Sequence, residues 1–426
     1  MKKIIALLLL FTSLLASPFV IGIMTEQRIE DLVAQYRLST NVEHIEIDIQ
    51  RGWLHSEVIS KVTMHLAELG DKNVDLTFHH NVRHGPVLWG AQRPLHIGFA
   101  DVQSELILPL EIQDQLSAVL DKIPAMTLRT QLNYDGTQDS QLSLAEFHFD
   151  DQGTQIIIRP LTLIVHGSLL FDRIQGKLNW QGVTFITAKQ KLTLAQSTAQ
   201  IDMQEESAIW VGDMSWSSDS IQFSNSETTL EIKNINITAQ TSIDQQKRIS
   251  TTQALKIGRI NHNDMAYGPA TYTMLLNHIP LSVFEKLESI QNNIATLPAK
   301  QRTQAMQAMG FSMFSVLPDI LAAEPEIEWR DILLVTPYGD VQGSLRITLA
   351  GLNERDMLNF QKIKQHLQAD MQLQIPVALL SSNDLNKLDQ WIEKGWLVER
   401  DMMLYSTLRM IDGRLTINDK RIPLPF

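Results

Sequence analysis

From residue 42 onward the chain alternates. Ile45, Ile47 and Ile49 are separated by Glu46 and Asp48, and Val74, Leu76 and Phe78 by Asp75 and Thr77. A period of two puts successive side chains on opposite faces of a strand, so one face is apolar and the other polar. Arg51-Gly52-Trp53-Leu54, Gly70-Asp71-Lys72-Asn73 and Asp135-Gly136 interrupt the alternation at strand length and read as turns. The pattern predicts an antiparallel meander through residue 276, with later strands over Leu95–Leu110, Leu161–Val165, Leu169–Trp180 and Tyr267–Leu276. Leu230 and Ile232 are out of phase with Ile235 and Ile237, which predicts a bulge between Ile232 and Ile235. The regular exchange of strands and helices that a doubly wound or barrel fold requires is missing.

Helical spacing enters at three places. Ile29, Leu32, Val33 and Tyr36 suggest a helix over 25–40. Leu281, Phe284, Leu287 and Ile290 predict another from Pro280. A methionine-rich stripe, Met306, Met309, Phe311, Met313, Phe314 and Leu317, predicts a third that ends at Pro318. These last two are the natural cover for the apolar sheet face. Beyond a linker at Ala322–Pro325, the chain reads as a hairpin (Ile327–Val335 with Val341–Leu349), a helix over Met357–Ala369 and a strand Leu373–Leu379 broken by Pro376. A helix capped at Ser382 and ending at Gly395 and a hairpin around Asp412-Gly413 complete it. The expected fold is a β-dominated α+β structure: a long, antiparallel, twisted sheet with a helical insertion and a C-terminal α/β segment. Its parts are an antiparallel body (25–276), a helical insertion (277–325) and C-terminal hairpins and helices (326–426).

Residues 1–24 stand apart. Lys2 and Lys3 precede Ile4–Met24, which carries no charge. A helix of roughly 20 apolar residues crosses a bilayer. The segment therefore reads as a membrane anchor or signal. An uncleaved anchor is favoured, because Leu14 or Leu15 falls at −3 of the sites near Ala16 and Ser17, and the better site at Val20-Ile21-Gly22 lies late. By the positive-inside rule the lysines stay in the cytoplasm and the bulk lies outside.

Composition narrows the chemistry. With 44% hydrophobic and 20% charged residues the chain folds, and a net charge of −12 disfavours nucleic acid. There is no cysteine, which removes disulfides, thiolate catalysis and thiolate metal sites. Seven histidines lie between His44 and His96. His80 and His84 share a strand face but stand about 13 Å apart at 3.3 Å per residue. A metal would need convergence of, for instance, His55, His65 and His80, so no metal ligand is assigned. Nucleophile-elbow, phosphate-loop, zinc-helix and dinucleotide motifs are missing. No catalytic residue and no cofactor are assigned, and an enzyme is disfavoured.

The local motif that remains is His84-Gly85-Pro86, with Trp53 in the neighbouring turn. One reading is a ligand or partner contact by His84. The favoured one is a shaped strand exit with a hydrogen-bonded histidine, Gly85 supplying a backbone shape closed to other residues. Tyr267-Gly268-Pro269 repeats the element and hints at an internal duplication. If the sheet holds apolar chains, Val74, Leu76, Phe78 and Val82 are its contact residues, and His84 and Trp89 lie at its rim.

Arg51-Gly52-Trp53-Leu54-His55-Ser56, the strand ending in His84-Gly85-Pro86, and the C-terminal Gly395-Trp396-Leu397, Tyr405 and Asp412–Asn418 occur in an order that resembles the YdgA-like proteins, bacterial envelope proteins of unassigned function. The resemblance spans nearly the whole chain. It departs at Leu54, where Phe is expected, and at Asp419, where an Asn-Gly turn is common. It carries no catalytic residues. It implies a Gram-negative-type envelope, with the chain in the inner membrane by a single pass and its bulk in the periplasm. The expected function is a non-enzymatic envelope scaffold or a body that handles lipids or other apolar ligands. The alternative is an envelope hydrolase with a site assembled in space around His84. Beyond the membrane itself, the partners left open are a lipid, an envelope protein and a second copy of the chain.

Overall fold

In a computed structural model of the chain, strands take up 68% and helices 12% of the described residues. The structure describes residues 42–423 apart from 67–71, 89–94, 108–125, 152, 170–171, 208, 296–315, 353–358 and 381, together with Ser17, Pro18 and Ile21. The expected membrane segment, the helix over 25–40, Trp89 and most of the methionine stripe therefore lie outside the described residues. Among the described residues no helix is long and apolar enough to cross a membrane. The chain divides into two compact units, Met1–Ala188 and Lys189–Phe426.

The first unit holds strands β1 (Val42–Arg51), β2 (His55–Leu66), β3 (Lys72–His84), β4 (Val87–Leu88), β5 (His96–Ile97), β6 (Ala100–Ile107), β7 (Met126–Leu132) and β8 (Thr137–Leu144). These are followed by β9 (Phe147–Asp151), β10 (Thr154–Ile158), β11 (Leu161–Ser168), β12 (Arg173–Trp180) and β13 (Val183–Ile186). Antiparallel pairing runs β1–β2–β3–β6–β7–β8–β11–β12, with β9–β10–β13 as a three-stranded side branch and β4–β5 as a separate ribbon. Most neighbours in space are neighbours in sequence, as the alternation and turn signals require, but β3–β6, β8–β11 and β10–β13 skip strands. A buried hydrophobic cluster forms around Val58, Val82 and Ala100, with Ile47, Ile49, Phe99, Val102 and Leu132 against them. Each such aliphatic side chain contributes about 1.5–3 kcal/mol when fully buried.

The second unit holds β14 (Gln190–Leu194), β15 (Ser197–Glu206), β16 (Ile209–Asn225), β17 (Thr229–Ile243), β18 (Arg248–His262), β19 (Met265–Tyr267) and β20 (Ala270–Pro280). Then come α1 (Leu281–Ala295), β21 (Glu326–Leu334), β22 (Val341–Leu349), α2 (Phe360–His366), β23 (Leu367–Pro376), α3 (Ser382–Glu393), β24 (Val398–Arg400), β25 (Met403–Ile411), β26 (Arg414–Ile417) and β27 (Lys420–Ile422). β14 and β15 both pair with β16, and the sheet continues β17–β18–β20–β21–β22–β23–β25–β26–β27. The helix read from Pro280 follows β20 directly and buries Leu281 and Val283. α3 ends where Gly395 takes φ 73 and the Trp396 N–H donates to the Trp391 carbonyl at 2.8 Å, satisfying carbonyls a regular turn would leave open.

Three expectations need correction. The phase change at Ile232/Ile235 is not an inserted residue. Lys233 pairs with Arg259 and Ile235 with Ile257, so the register is unbroken, while Asn234 drops out of the ladder at φ 54. A left-handed residue turns the strand without changing its count, and asparagine tolerates that conformation better than most side chains. Helix 357–369 is shorter than expected: α2 stops at His366, and Leu367–Ala369 join β23, which pairs with β22 and β25. Tertiary pairing overrides local helical spacing there. The strand read over Tyr267–Leu276 is interrupted at Gly268-Pro269, because proline has no N–H for the ladder.

Candidate functional site

β3 ends at His84, and the Gly85–Pro86 peptide bond that follows is cis. The Gly85 N–H donates to the Phe99 carbonyl at 2.9 Å, and the Gly98 N–H donates to the Pro86 carbonyl at 3.2 Å. Gly85 does not adopt a positive φ. What it supplies is space: a Cβ there would stand 1.9 Å from the Gly98 carbonyl oxygen. The second unit repeats the arrangement. Gly268–Pro269 is also cis, its glycine N–H donates to the Val335 carbonyl at 2.8 Å, and the Val335 N–H donates to the Pro269 carbonyl at 3.1 Å.

His84 is 4% exposed, so it does not sit at an open rim. Its Nε2 lies 2.8 Å from the Ser56 hydroxyl on β2, and its Nδ1 is buried with no protein partner. Burial, with His55 and Arg51 nearby, lowers the His84 pKa and keeps the ring neutral. Two pleat repeats away, His80 bridges three strands: Nε2 lies 2.7 Å from Ser60 Oγ and Nδ1 2.7 Å from Ser104 Oγ. Burial and then His79 lower its pKa as well. The two Ser–His pairs resemble the start of a nucleophilic site. However, Ser56 is itself buried, and the recorded partners of both rings are serines, with no carboxylate among the described residues to orient them. The pairs serve as polar rungs in an apolar wall, with both ring nitrogens of His80 satisfied and only Nε2 of His84.

His55, His65 and His80 are not brought together. His80 faces Val58, His55 faces Arg83 on the opposite side of the sheet, and His65 pairs with Asn73. Among the described residues no three histidine or carboxylate side chains are placed to hold a metal. Trp53 is 57% exposed at the tip of the β1–β2 hairpin. Of the anticipated contact residues, Leu76 and Phe78 are half-buried on the His80 face, whereas Val82 is fully buried and cannot touch a ligand.

The more extensive feature is the face to which these residues belong. Directly paired residues share a face, so the registers can be read across the sheet. In the first unit one row runs Met126–Leu144–Leu161–Trp180 across β7, β8, β11 and β12. The next runs Leu128–Leu142–Leu163–Leu178, and continues from Leu128 through Ser104 and His80 to Val58 and Ile49. Every one of the eight side chains on β7, β8, β11 and β12 in these two rows is only half-buried. The alternate residues, such as Arg129, Gln141, Thr162 and Lys177, give the other face its polar character.

The second unit, taken alone, repeats the design. Ala199, Trp216, Ile237, Leu255 and Tyr272 form one row. A second begins at Ile201, passes through Met214, Ala239, Gln253, Met274 and Trp329, and continues through Leu345, Met371 and Leu408 to Ile417. Met214, Ile237 and Tyr272 are exposed. Sequence reasoning found the alternation within each strand but not these rows. A row is a property of register, which is set jointly by turns and partners.

No curated protein and no solved structure matches the chain. One family model does, over residues 1–425. The chain therefore belongs to the family described as bacterial protein of unknown function (DUF945).

Proposed function

We propose that this protein is a non-catalytic body of the bacterial envelope that holds the apolar chains of lipids along its open sheet faces. The carrying observation is the pair of leucine-rich rows across β7, β8, β11 and β12, in which eight consecutive facing side chains remain half-buried. An apolar wall of four strands spans roughly 14 Å at the usual 4.8 Å strand spacing, and a contiguous apolar surface left partly open to solvent supports a binding role. The uncleaved anchor at residues 4–24, the single pass through an inner membrane and the periplasmic placement of the bulk belong to the same proposal. They are supported by the charge-free run behind Lys2 and Lys3 and by the resemblance to the YdgA-like proteins. The hydrolase alternative is weakened by the burial of Ser56 and by the serine-only partners of His80 and His84.

A photoreactive amino acid in place of Leu142 or Leu163, in the full chain in a bacterial envelope, tests the reading. Lipid adducts found by mass spectrometry at those two positions, and not at Gln141 or Thr162 on the other face, are the expected result. Equal labelling of both faces, or adducts with proteins alone, would refute it.

A further inference from the structure

Six large apolar side chains that serve no core gather at one end of the first sheet. Trp53 and Leu54 form the tip of the β1–β2 hairpin, Val87 and Ile97 lie in the β4–β5 ribbon with Leu95 just before β5, and Tyr134 caps the β7–β8 turn. All are exposed, Ile97 by 75% and Leu95 by 68%. They belong to one end because the backbone ties their turns together. The His84 N–H donates to the Leu54 carbonyl at 2.9 Å, Gly85 donates to Phe99, and Phe99 in turn donates to the Leu132 carbonyl at 2.7 Å. The Phe99 ring meets Tyr134 edge-on at 6.1 Å. The ribbon is two-sided: Leu88 is 2% exposed and would meet any Cβ placed on Gly98, whereas Val87 and Ile97, paired with each other, face outward.

This collection has the chemistry of a membrane-touching edge. The side chains come from two hairpin turns and a short ribbon. A tryptophan and a tyrosine, with apolar bodies and polar tips, favour the headgroup boundary, and the aliphatic residues favour the acyl region just beneath. Arg51 and Arg83 are exposed at the same end. Register places Arg51 on the face of Ser56 and Arg83, directly paired with Asp101, on the opposite face. The Gly85-Pro86 corner, with no room beside Gly85, fixes the ribbon's exit from β3.

We infer that this end of the first unit inserts its hairpin tips into the surface of a lipid bilayer. Such a contact rests on its own residues, and it would give the lipid-holding face of the proposed function an end open to the membrane.

The chain contains no cysteine, so single-cysteine variants can be labelled cleanly. The full-length variants Leu54→Cys, Ile97→Cys and, as control, Asn81→Cys, each carrying an environment-sensitive NBD group, are compared in detergent and in vesicles of phosphatidylethanolamine and phosphatidylglycerol. The inference expects a blue shift and loss of most emission to nitroxide-bearing lipids at positions 54 and 97, with position 81 remaining water-like. It is overturned if 54 and 97 behave as 81 does. It is equally overturned if they shift without quenching by the lipid nitroxide, which would indicate contact between copies or with another protein. Adducts at Leu142 report on the sheet face and not on the tip, so failure of one reading does not imply failure of the other.

Discussion

Gly85 lies so close to Gly98 that a single added methyl group would stand 1.9 Å from the Gly98 carbonyl oxygen. No side-chain rotation relieves that contact, because the obstructing atom is backbone. Gly85→Ala should therefore cost about 3 kcal/mol or more, the range reserved for named steric or cavity defects. Gly136, at φ 81 with nothing within 4 Å of its would-be Cβ, is the matched control. There alanine pays only for a left-handed backbone, about 1–2 kcal/mol. Thermal melting of the two variants gives the comparison. A Gly85→Ala protein that melts with the Gly136→Ala protein would show that the corner can open.

The Ser56–His84 pair is open to a double-mutant cycle. His84→Leu leaves a buried serine hydroxyl without its partner and should cost about 1–3 kcal/mol. His84→Gln, which can still donate and accept, should cost less. Ser56→Ala combined with His84→Leu should be less destabilised than the two single changes summed, since both polar groups are then gone. Additive losses in chemical denaturation would mean that the 2.8 Å approach contributes no coupling.

Burial holds the pKa of both His80 and His84 below its ordinary value. In the unfolded chain an imidazole takes up a proton from about pH 6.5 downward, while in the folded protein these two stay neutral to lower pH. The unfolded state then binds more protons, so stability falls as pH drops below about 6.5 and stops falling once the folded rings protonate. Above that pH the two rings contribute no slope. Denaturation curves between pH 5 and 8 should show this, and His80→Gln with His84→Gln should flatten the slope. An unchanged slope in the double variant would assign the pH dependence to other groups.

Asn234 and Gly258 form a second tight pair. A Cβ on Gly258 would meet the Asn234 Cβ and its amide nitrogen, each at 3.0 Å, and Asn234 itself sits at φ 54. Gly258→Val should therefore cost about 1–3 kcal/mol by overpacking. Asn234→Val should cost a similar amount, because a β-branched side chain resists the left-handed region. Asn234→Gly, which relieves that conformation, should be close to neutral. Melting temperatures of the three variants test the ordering, and equal tolerance of valine and glycine at 234 would contradict it.

The alternation of Ile45, Ile47 and Ile49, or of Leu76 and Phe78 with Thr77, determines by itself that these segments are strands with one apolar face, because a period of two has no helical equivalent. Asp-Gly turns such as Asp135-Gly136 mark where strands reverse, and the hairpins between consecutive strands are legible, whereas the pairings β3–β6, β8–β11 and β18–β20 that skip strands are not. The phase change at Asn234 was legible too, but its form was not: an inserted residue and a left-handed one leave the same trace in a sequence. Leu367–Ala369 continue a helical pattern, and only pairing with β22 and β25 made them strand.

The site was decided almost entirely in three dimensions. His84-Gly85-Pro86 can be picked out as a tripeptide, but Gly98, fourteen residues on in sequence from His84, is what makes glycine obligatory at 85. Ser56, Ser60 and Ser104 are ordinary serines until register places them against His84 and His80. Leu128, Leu142, Leu163 and Leu178 come from four strands, and none announces the others. They form one wall because side-chain direction follows from sequence, whereas the partner strand and its register follow from the folded sheet.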